Sequence, residues 1–390
     1  MNELLYRYNP WWEELPSAAN FHERAGIYQQ VLANMRSRDI LILTGLRRVG
    51  KTTIMKMLIH RLLMTEHIRP QHLLYVSLDD YRLSKISLQA IIDSVRKLHR
   101  LRFDEKLFVF FDEITHLENF EIQLKNLYDS ENVKLIVTSS SASMMKSKKG
   151  YLTGRNRLYE IQPLDFSEYI TFKGLTVKKR DRHLTESYFE DFMRTGGIPE
   201  FVMRGEIEYL KELVDDIILK DIAAFHSIKH PQVLKDLFLL LMERSGKQVS
   251  INKVAHILGI SPDSAKRYIE MFNDSYLIHL VSRHGKVNER LLSPKKLYAA
   301  DVGIRTLFTG FRDVGSLFEN YCYLKLRSQN PTYFFKDGIE IDFLTENGIL
   351  IEAKYNSQMT DKQTALFEMI RAKKKLLINN IEALSQLDFV

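Results

Sequence analysis

Short apolar runs alternate with amphipathic segments through residues 1–160 of this 390-residue chain. The runs are ILILT (40–44), LLYV (73–76), LFVFF (107–111) and VKLIVT (133–138). A strand that is buried on both faces of a parallel sheet has this nearly continuous apolar pattern. The pattern therefore predicts an α/β domain, built on a parallel sheet, over residues 1–160.

A G-x-x-x-x-G-K-T motif follows the first run directly and leads into a helical pattern. Such a strand, glycine-rich loop and helix form a P-loop, because the glycines let backbone N–H groups close round phosphate oxygens. Lys51 is predicted to reach the β- and γ-phosphates, and the Thr52 hydroxyl to ligate magnesium. ATP and Mg²⁺ are thus the predicted cofactors. The residues predicted to contact the nucleotide in this motif are Gly45, Arg48, Val49, Gly50, Lys51, Thr52 and Thr53.

The third apolar run ends in Asp112 and Glu113. Ligands bind at the carboxyl ends of strands in open α/β sheets. Asp112 is therefore predicted to hold the hydrated magnesium, and Glu113 to polarise the attacking water. The fourth run ends in Ser139, Ser140 and Ser141, and a hydroxyl group there reads the γ-phosphate, caps the following helix, or does both.

Two further features of the first 160 residues have alternative interpretations. Asn9, Pro10, Trp11 and Trp12 form either a lid that stacks over the nucleotide base or a core plug. Arg155 and Arg157 come just before a short strand, where an arginine is either a finger for the γ-phosphate of its own or a neighbouring subunit, or a surface residue.

Residues 161–230 read as a helical lid, and the pattern changes after Gln232. Three helical segments and the apparent hairpin LIHLVSRHGKVN predict a winged helix over residues 231–290. Its second motif helix is expected to begin near Ser261 and to carry Lys266 and Arg267. These cations either contact DNA or belong to a rigid adaptor.

The last predicted domain, residues 291–390, has a second group of polar residues. A helical pattern contains Glu319, and three predicted strands with a turn at Asn347-Gly348 carry Asp342, Glu352 and Lys354. One carboxylate from each of two strands, with a lysine beside them, is able to hold a divalent metal and orient a water for phosphodiester hydrolysis. The alternative is a solvated face with a cross-strand ion pair.

Composition narrows the class of protein. No segment is long and apolar enough to span a bilayer, so we expect a cytoplasmic protein with no membrane partner. The single cysteine, Cys322, excludes an internal disulfide. The net charge of +7 permits DNA as a partner without requiring it.

The chain resembles prokaryotic AAA+ ATPases of the archaeal type, which join an N-terminal ATPase to a C-terminal domain of unknown function. The resemblance covers nearly the full length of the chain. The C-terminal part of the chain is similar to the PD-(D/E)XK nuclease fold. The motifs that carry it are NPWW (9–12), TGLRRVGKTT (44–53), FFDEI (110–114), VTSSS (137–141), LTGR (152–155), PLDFSEY (163–169), GGIPEF (196–201), LYAADVGIR (297–305), FENYCYLKLR (318–327), EIDF (340–343) and IEAKY (351–355).

The resemblance implies roles for residues at matching positions. Arg155 becomes the finger-like arginine, Ser140 the sensor and Pro199 part of a lid turn, although Ser139 stands where a glycine is expected. Asp342, Glu352 and Lys354 match the nuclease signature, and Glu319 its helix acid.

The predicted fold is a P-loop AAA+-type parallel sheet with a helical lid, then a winged helix and a restriction-endonuclease-like α/β domain. We expect an ATPase whose nucleotide state controls a C-terminal module that binds or cleaves DNA. The alternative is a slow nucleotide-dependent switch or scaffold whose C-terminal domain recognises a protein or nucleic acid without cutting it. The sequence does not specify the oligomeric state.

Overall fold

The structure of the chain is a computed structural model. It describes residues 1–16, 21–22, 24–141, 152–178, 181 and 183–389. The chain divides into two compact units, Met1–Gln162 and Pro163–Val390. The predicted ATPase domain ends close to this boundary, and the three other predicted domains fall in the second unit.

The first unit is a parallel sheet with helices. Its α-helices are α1 (Asn2–Tyr8), α2 (Ala25–Ala33), α3 (Lys51–Met64), α4 (Leu88–His99) and α5 (Phe120–Ser130). Its strands are β1 (Ile40–Thr44), β2 (Leu73–Ser77), β3 (Leu107–Asp112), β4 (Val133–Ser139) and β5 (Asn156–Glu160). All neighbouring strands are parallel, in the order β2-β3-β4-β1-β5. The predicted parallel α/β architecture is confirmed.

Strand β1 lies inside this sheet, between β4 and β5. All five of its residues are buried. A run of adjacent apolar side chains fits this place because both faces of a parallel sheet are covered. The carboxyl ends of β1, β3 and β4 therefore share one edge, and the residues there form the candidate nucleotide site.

The N-terminal segment covers the edge of the sheet at β2. Asn9 Nδ2 donates to the Tyr75 carbonyl at 3.0 Å, and Asn9 Oδ1 accepts the Tyr75 backbone N–H at 2.6 Å. The indoles of Trp11 and Trp12 donate to the Leu73 carbonyl at 3.3 and 2.9 Å. These groups serve the backbone that an edge strand leaves unpaired. The tryptophan pair thus forms the core plug, and the alternative of a lid over the base is wrong.

The second unit is larger and contains two sheets. Its α-helices are α6 (Phe166–Phe172), α7 (Leu184–Thr195), α8 (Pro199–Arg204), α9 (Ile207–Asp216), α10 (Pro231–Met242), α11 (Ile251–Leu258), α12 (Pro262–Asp274), α13 (Val287–Leu292), α14 (Val302–Thr309), α15 (Val314–Leu326), α16 (Asp361–Met369) and α17 (Ile381–Leu384). A π-helix, Ile217–Ala224, continues α9. The strands are β6 (Lys247–Val249), β7 (Ile278–Val281), β8 (Lys295–Ala299), β9 (Thr332–Lys336), β10 (Ile339–Leu344), β11 (Ile349–Ala353) and β12 (Lys374–Ile378).

The larger sheet of this unit has the strand order β12-β11-β10-β9. β10 is antiparallel to β9 and β11, whereas β12 is parallel to β11. The three strands predicted from the alternating pattern near the C-terminus are confirmed as β9, β10 and β11. None of the helices described along the chain is long and apolar enough to cross a membrane.

The smaller sheet has the order β6-β8-β7 and is antiparallel. The hairpin predicted within LIHLVSRHGKVN is wrong, because β7 pairs with β8 and α13 lies between them. The Glu289 carboxylate accepts the Lys286 backbone N–H at 3.2 Å, which begins a helix where a strand was expected. This sheet crosses the predicted boundary at residue 290.

Candidate functional site

The loop between β1 and α3 surrounds the ammonium group of Lys51. Lys51 Nζ donates to the carbonyls of Gly45 and Leu46 at 3.0 and 3.1 Å, and Lys51 is only 5% exposed. Gly45 has a φ of 138°, and a Cβ there would overlap the carbonyl oxygen of Ile161. Gly50 has a φ of 98° and leads into α3. Both positions need glycine, as the motif predicted.

The end of β3 places Asp112 beside Thr52. Thr52 Oγ1 donates to Asp112 Oδ2 at 2.7 Å, and Tyr75 donates to the same oxygen at 2.8 Å. Thr138 donates to Asp112 Oδ1. Burial and the charge of Asp112 raise the pKa of Tyr75 well above its usual value, so its hydroxyl group stays protonated. Three hydroxyl groups from three elements therefore fix the orientation of one buried carboxylate.

Glu113 and Ser140 complete this group of residues. Ser140 Oγ accepts from Lys51 Nζ at 3.0 Å and donates to Glu113 Oε1 at 2.7 Å. The Glu113 backbone N–H donates to Thr138 Oγ1 at 2.8 Å. The structure thus brings the predicted sensor, base and P-loop lysine together.

The other predicted role of the serines, as a helix cap, concerns residues 142–151. These residues lie outside the described part of the chain. Ser139 Oγ accepts the Ser141 backbone N–H at 3.0 Å.

The remaining predicted P-loop residues differ in exposure. Arg48 and Thr53 are exposed, whereas Val49 is buried. The Val49 carbonyl accepts from Arg24 Nη1 at 3.1 Å, and the same nitrogen donates to the Gln162 carbonyl at 2.8 Å. Arg24 supports the loop from a distant part of the sequence, and sequence reasoning missed it.

Arg155 lies at the amino-terminal ends of β1 and β5, whereas the P-loop follows the carboxyl end of β1. Its carbonyl accepts the backbone N–H of Ile40 at 2.8 Å, and β1 runs from Ile40 towards Gly45. Its guanidinium group pairs with Asp129 at 3.2 Å and lies 5.8 Å from the ring centroid of Tyr128. The structure does not bring Arg155 to the P-loop of its own chain.

In the second unit, Lys266 and Arg267 lie in α12 with exposed side chains. The helix begins after Ser261, whose Oγ accepts the Ser264 backbone N–H at 3.1 Å. The predicted start of this helix is confirmed.

The four polar residues predicted near the C-terminus form one cluster with a fifth residue that was not predicted. Lys354 Nζ lies 2.8 Å from Glu352 Oε1, and the Asp342 backbone N–H donates to Glu352 Oε2 at 3.1 Å. Lys296, on β8, links Glu319 and Asp342 at 2.7 and 2.9 Å. We call these residues, together with Glu340, the acidic centre. Tyr298, two residues after Lys296 on β8, donates to Glu319 Oε1 at 2.6 Å, and the spacing of two that puts both side chains on one face of the strand was the signal available in the sequence.

Charges in the acidic centre are strongly coupled. Burial alone would lower the pKa of Lys296, but the charges of Asp342, Glu319 and Glu340 raise it well above its usual value. Burial and Asp342 raise the pKa of Glu319 to about 7 and that of Glu352 to about 8. Burial and the neighbouring carboxylate thus favour the protonated form of both glutamates.

Comparison with known proteins identifies the first unit. Residues 37–170 match the family described as AAA domain, and residues 186–314 match a domain of unknown function, DUF8612. An uncharacterised protein of Methanocaldococcus jannaschii is 30% identical over 364 residues, which cover 88% of this chain and 80% of that protein. The chain belongs to the AAA+ ATPase family. Its first unit is a nucleotide-binding, ATPase-like domain.

Two other proteins are similar to this chain over most of their lengths. A second uncharacterised protein of Methanocaldococcus jannaschii is 22% identical, covering 88% of this chain and 81% of its own. An uncharacterised protein of Haemophilus influenzae is 24% identical, with 90% and 92% covered. The solved structure of C. elegans PCH-2 aligns with 46% of this chain and 51% of its own, at 21% identity and a TM-score of 0.28.

Proposed function

We propose that the first unit is a magnesium-dependent ATPase. The observation that carries this proposal is the 2.7 Å hydrogen bond between Thr52 Oγ1 and Asp112 Oδ2. A hydroxyl group at the start of a P-loop helix and a carboxylate at the end of a neighbouring strand are the ligands that suit magnesium beside phosphates. Bound magnesium supplies positive charge that stabilises the transferring phosphoryl group. Lys51, held at the loop carbonyls, supplies a second positive charge to the phosphates.

Glu113 is the residue that we assign to the attacking water. A carboxylate within hydrogen-bond reach of a water acts as its base or orients it. Ser140 donates to this carboxylate, and Thr138 holds the adjacent backbone N–H. Ser140 also contacts Lys51, so it is a positioning residue between the lysine and the base.

Arg155 is proposed as the arginine finger of a neighbouring subunit. Arg155 lies at the amino-terminal end of β1, away from the P-loop of its own chain. This position supports action on the nucleotide of a neighbouring subunit. An arginine that reaches a phosphate there stabilises the charge of the transition state. This part of the proposal requires an assembly of several chains.

Two variants test the ATPase proposal. Lys51→Ala should abolish binding of a fluorescent ATP analogue, and Lys56→Ala, an exposed position on the same helix, is the matched control. Glu113→Gln should keep nucleotide binding and lose phosphate release. ATP binding by Lys51→Ala that equals the parent contradicts the proposed site. Unchanged turnover of Glu113→Gln removes Glu113 from its role.

We further propose that the second unit contains a winged-helix DNA-binding module that the nucleotide state controls. The order α10, β6, α11, α12, β7, β8 and the antiparallel sheet of these three strands support it. This is the helix and strand order that places a recognition helix, here α12, before two strands. The exposed cations Lys266 and Arg267 lie on that helix.

DNA affinity as a function of salt tests the second proposal. Changing Lys266 and Arg267 to alanine removes two potential phosphate contacts, so the slope of log affinity against log salt should fall by about two. Lys211→Ala, exposed on α9, is the control. An affinity and slope equal to the parent's count against DNA contact by this helix.

The alternative function is a slow nucleotide-dependent switch whose second unit recognises a partner without cutting it. The observation that favours it is the buried Lys296 inside the acidic centre. Turnover separates the two functions: a switch retains one ATP per chain for minutes, whereas an ATPase releases phosphate continuously.

A further inference from the structure

The acidic centre has the carboxylates of a nuclease-like metal site, but a lysine lies among them. Lys296 Nζ is 2.7 Å from Glu319 Oε1, 2.5 Å from Glu340 Oε1 and 2.9 Å from Asp342 Oδ1. Lys296 is 1% exposed. We propose that Lys296 is the resident cation of this centre, which therefore takes no divalent metal and does not cleave DNA.

The position of the ammonium group is the first argument. A magnesium ion lies about 2.1 Å from each of its oxygen ligands. An ion shared by Glu319 and Asp342 would use carboxylates that already converge on Lys296 Nζ. A magnesium ion bound to these oxygens would lie close to the Lys296 ammonium group, and two cations that lie close together repel each other strongly in a buried site. Lys296 and a divalent ion thus compete for the same place.

The remaining oxygens are the second argument, because protein donors already reach them. Asp342 Oδ2 accepts the Ala353 backbone N–H at 3.0 Å. Glu352 Oε2 accepts the Asp342 backbone N–H at 3.1 Å, and Glu352 Oε1 contacts Lys354 Nζ at 2.8 Å. Magnesium needs near-octahedral oxygen ligands, and these backbone N–H and ammonium donors, unlike the Thr52 hydroxyl group beside Asp112, supply no oxygen to an ion.

The links between elements are the third argument. Lys296 joins β8 to α15 and β10, and Gln248 of β6 donates to Glu340 Oε2 at 2.7 Å. The cluster therefore ties the small sheet of the second unit to its large sheet. Across the described residues, no group of three or more His, Cys, Asp or Glu side chains is arranged to hold a metal ion. The donor set does not fit the metal that the nuclease-like signature implies.

The consequence is a recognition module rather than a nuclease. Metal-assisted hydrolysis of a phosphodiester needs a place beside the carboxylates where a divalent metal ion is able to bind. With Lys296 in that position, the carboxylates and lysines of the centre stabilise the fold. The second unit then acts by binding, which extends the proposed function without depending on ATP hydrolysis.

Binding of Mn²⁺ to the full chain, measured by calorimetry without nucleotide, tests this inference. All proteins carry Asp112→Asn, which removes the ATPase metal position. We expect no binding at 1:1 stoichiometry by this parent, and a gain of one Mn²⁺ per chain on adding Lys296→Met. That gain should disappear when Asp342→Asn is added. Lys295→Met, an exposed change at the neighbouring position, is the matched control and should gain nothing.

Three results overturn the proposal. The first is Mn²⁺ binding by the parent that Asp342→Asn abolishes. The second is a folded Lys296→Met protein, by circular dichroism, that gains no Mn²⁺. The third is cleavage of single- or double-stranded DNA by the natural chain with Mn²⁺ that Lys354→Ala removes. If Lys296→Met does not fold, the first and third measurements still decide. Failure of the ATPase proposal is read separately, from ATP binding by Lys51→Ala.

Discussion

Replacing Arg155 with alanine should lower ATP turnover without changing nucleotide affinity or stability. The side chain is a third exposed and its partner, Asp129, is nearly half exposed. A surface ion pair of this kind contributes less than about 1 kcal/mol to the free energy of unfolding. Any large loss of turnover therefore comes from the reaction and not from misfolding.

The structure sets the size and the origin of the effect. Asn156 pairs with Ile40 and the Arg155 carbonyl accepts the Ile40 backbone N–H, so Arg155 lies at the start of β1, and the five residues of β1 separate it from Gly45. At about 3.3 Å per residue, this distance is about 16 Å, which exceeds the length of an arginine side chain. The arginine cannot reach its own P-loop. If it serves a neighbour, its loss should lower kcat by roughly 10³- to 10⁵-fold, as for other arginine fingers.

Mixing two inactive variants distinguishes action in trans from an indirect effect. Arg155→Ala keeps Glu113, and Glu113→Gln keeps Arg155. A mixed assembly contains interfaces with both residues intact, so phosphate release should recover to a measurable fraction of the parent rate. Arg157→Ala, an exposed change two residues away, is the control. Turnover by Arg155→Ala that equals the parent, or mixtures with no recovery, would refute the reasoning.

Three further predictions concern stability and nucleotide binding. Tyr75→Phe removes a donor to buried Asp112 and should lower the unfolding free energy of the first unit by about 1.5 kcal/mol, measured by urea and tryptophan fluorescence. An unchanged midpoint would contradict this. Gly45→Ala should abolish ATP-analogue binding, because its Cβ overlaps the Ile161 carbonyl; parent-like affinity would refute it. Burial raises the pKa of the Asp301 carboxyl group in the folded protein from 3.8 to about 6. The protonated carboxyl group therefore favours the folded state fully below pH 3.8, and this contribution is lost as the pH rises through 6. The stability difference between the parent and Asp301→Asn should fall by about 3 kcal/mol from pH 3.5 to 7 in urea titrations followed by circular dichroism; a constant difference would exclude this titration.

The nucleotide site was largely predictable from the sequence because its chemistry is local. Gly45 to Thr53 are contiguous, and glycines at positive φ followed by a helix leave few other structures for that segment. Asp112 and Glu113 were predictable because an apolar run implies a buried parallel strand, whose carboxyl end lies at the ligand edge. Their pairing with the P-loop across 60 residues follows from parallel strand order.

Contacts between segments that are distant in the sequence could be identified only from the tertiary structure. Tyr75 contacts Asp112 only because β2 and β3 are neighbours, and no local pattern specifies that contact. The predicted hairpin failed because a helix that begins at Val287 separates two strands that nevertheless pair. Local pattern shows which residues are apolar but not which strand each will meet.

The sequence by itself determined a P-loop domain, its lysine and its acidic strand end, since hydrophobic period and motif spacing are properties of neighbouring residues. Only the tertiary structure decided that the tryptophans plug the sheet edge and that Arg155 faces away from its own P-loop. It also placed Lys296 among carboxylates from distant parts of the sequence, and its hydrogen-bond partner Asp342 lies 46 residues further along the chain. The physical reason is that burial and charge pairing depend on which segments pack together, and this is settled by the whole fold.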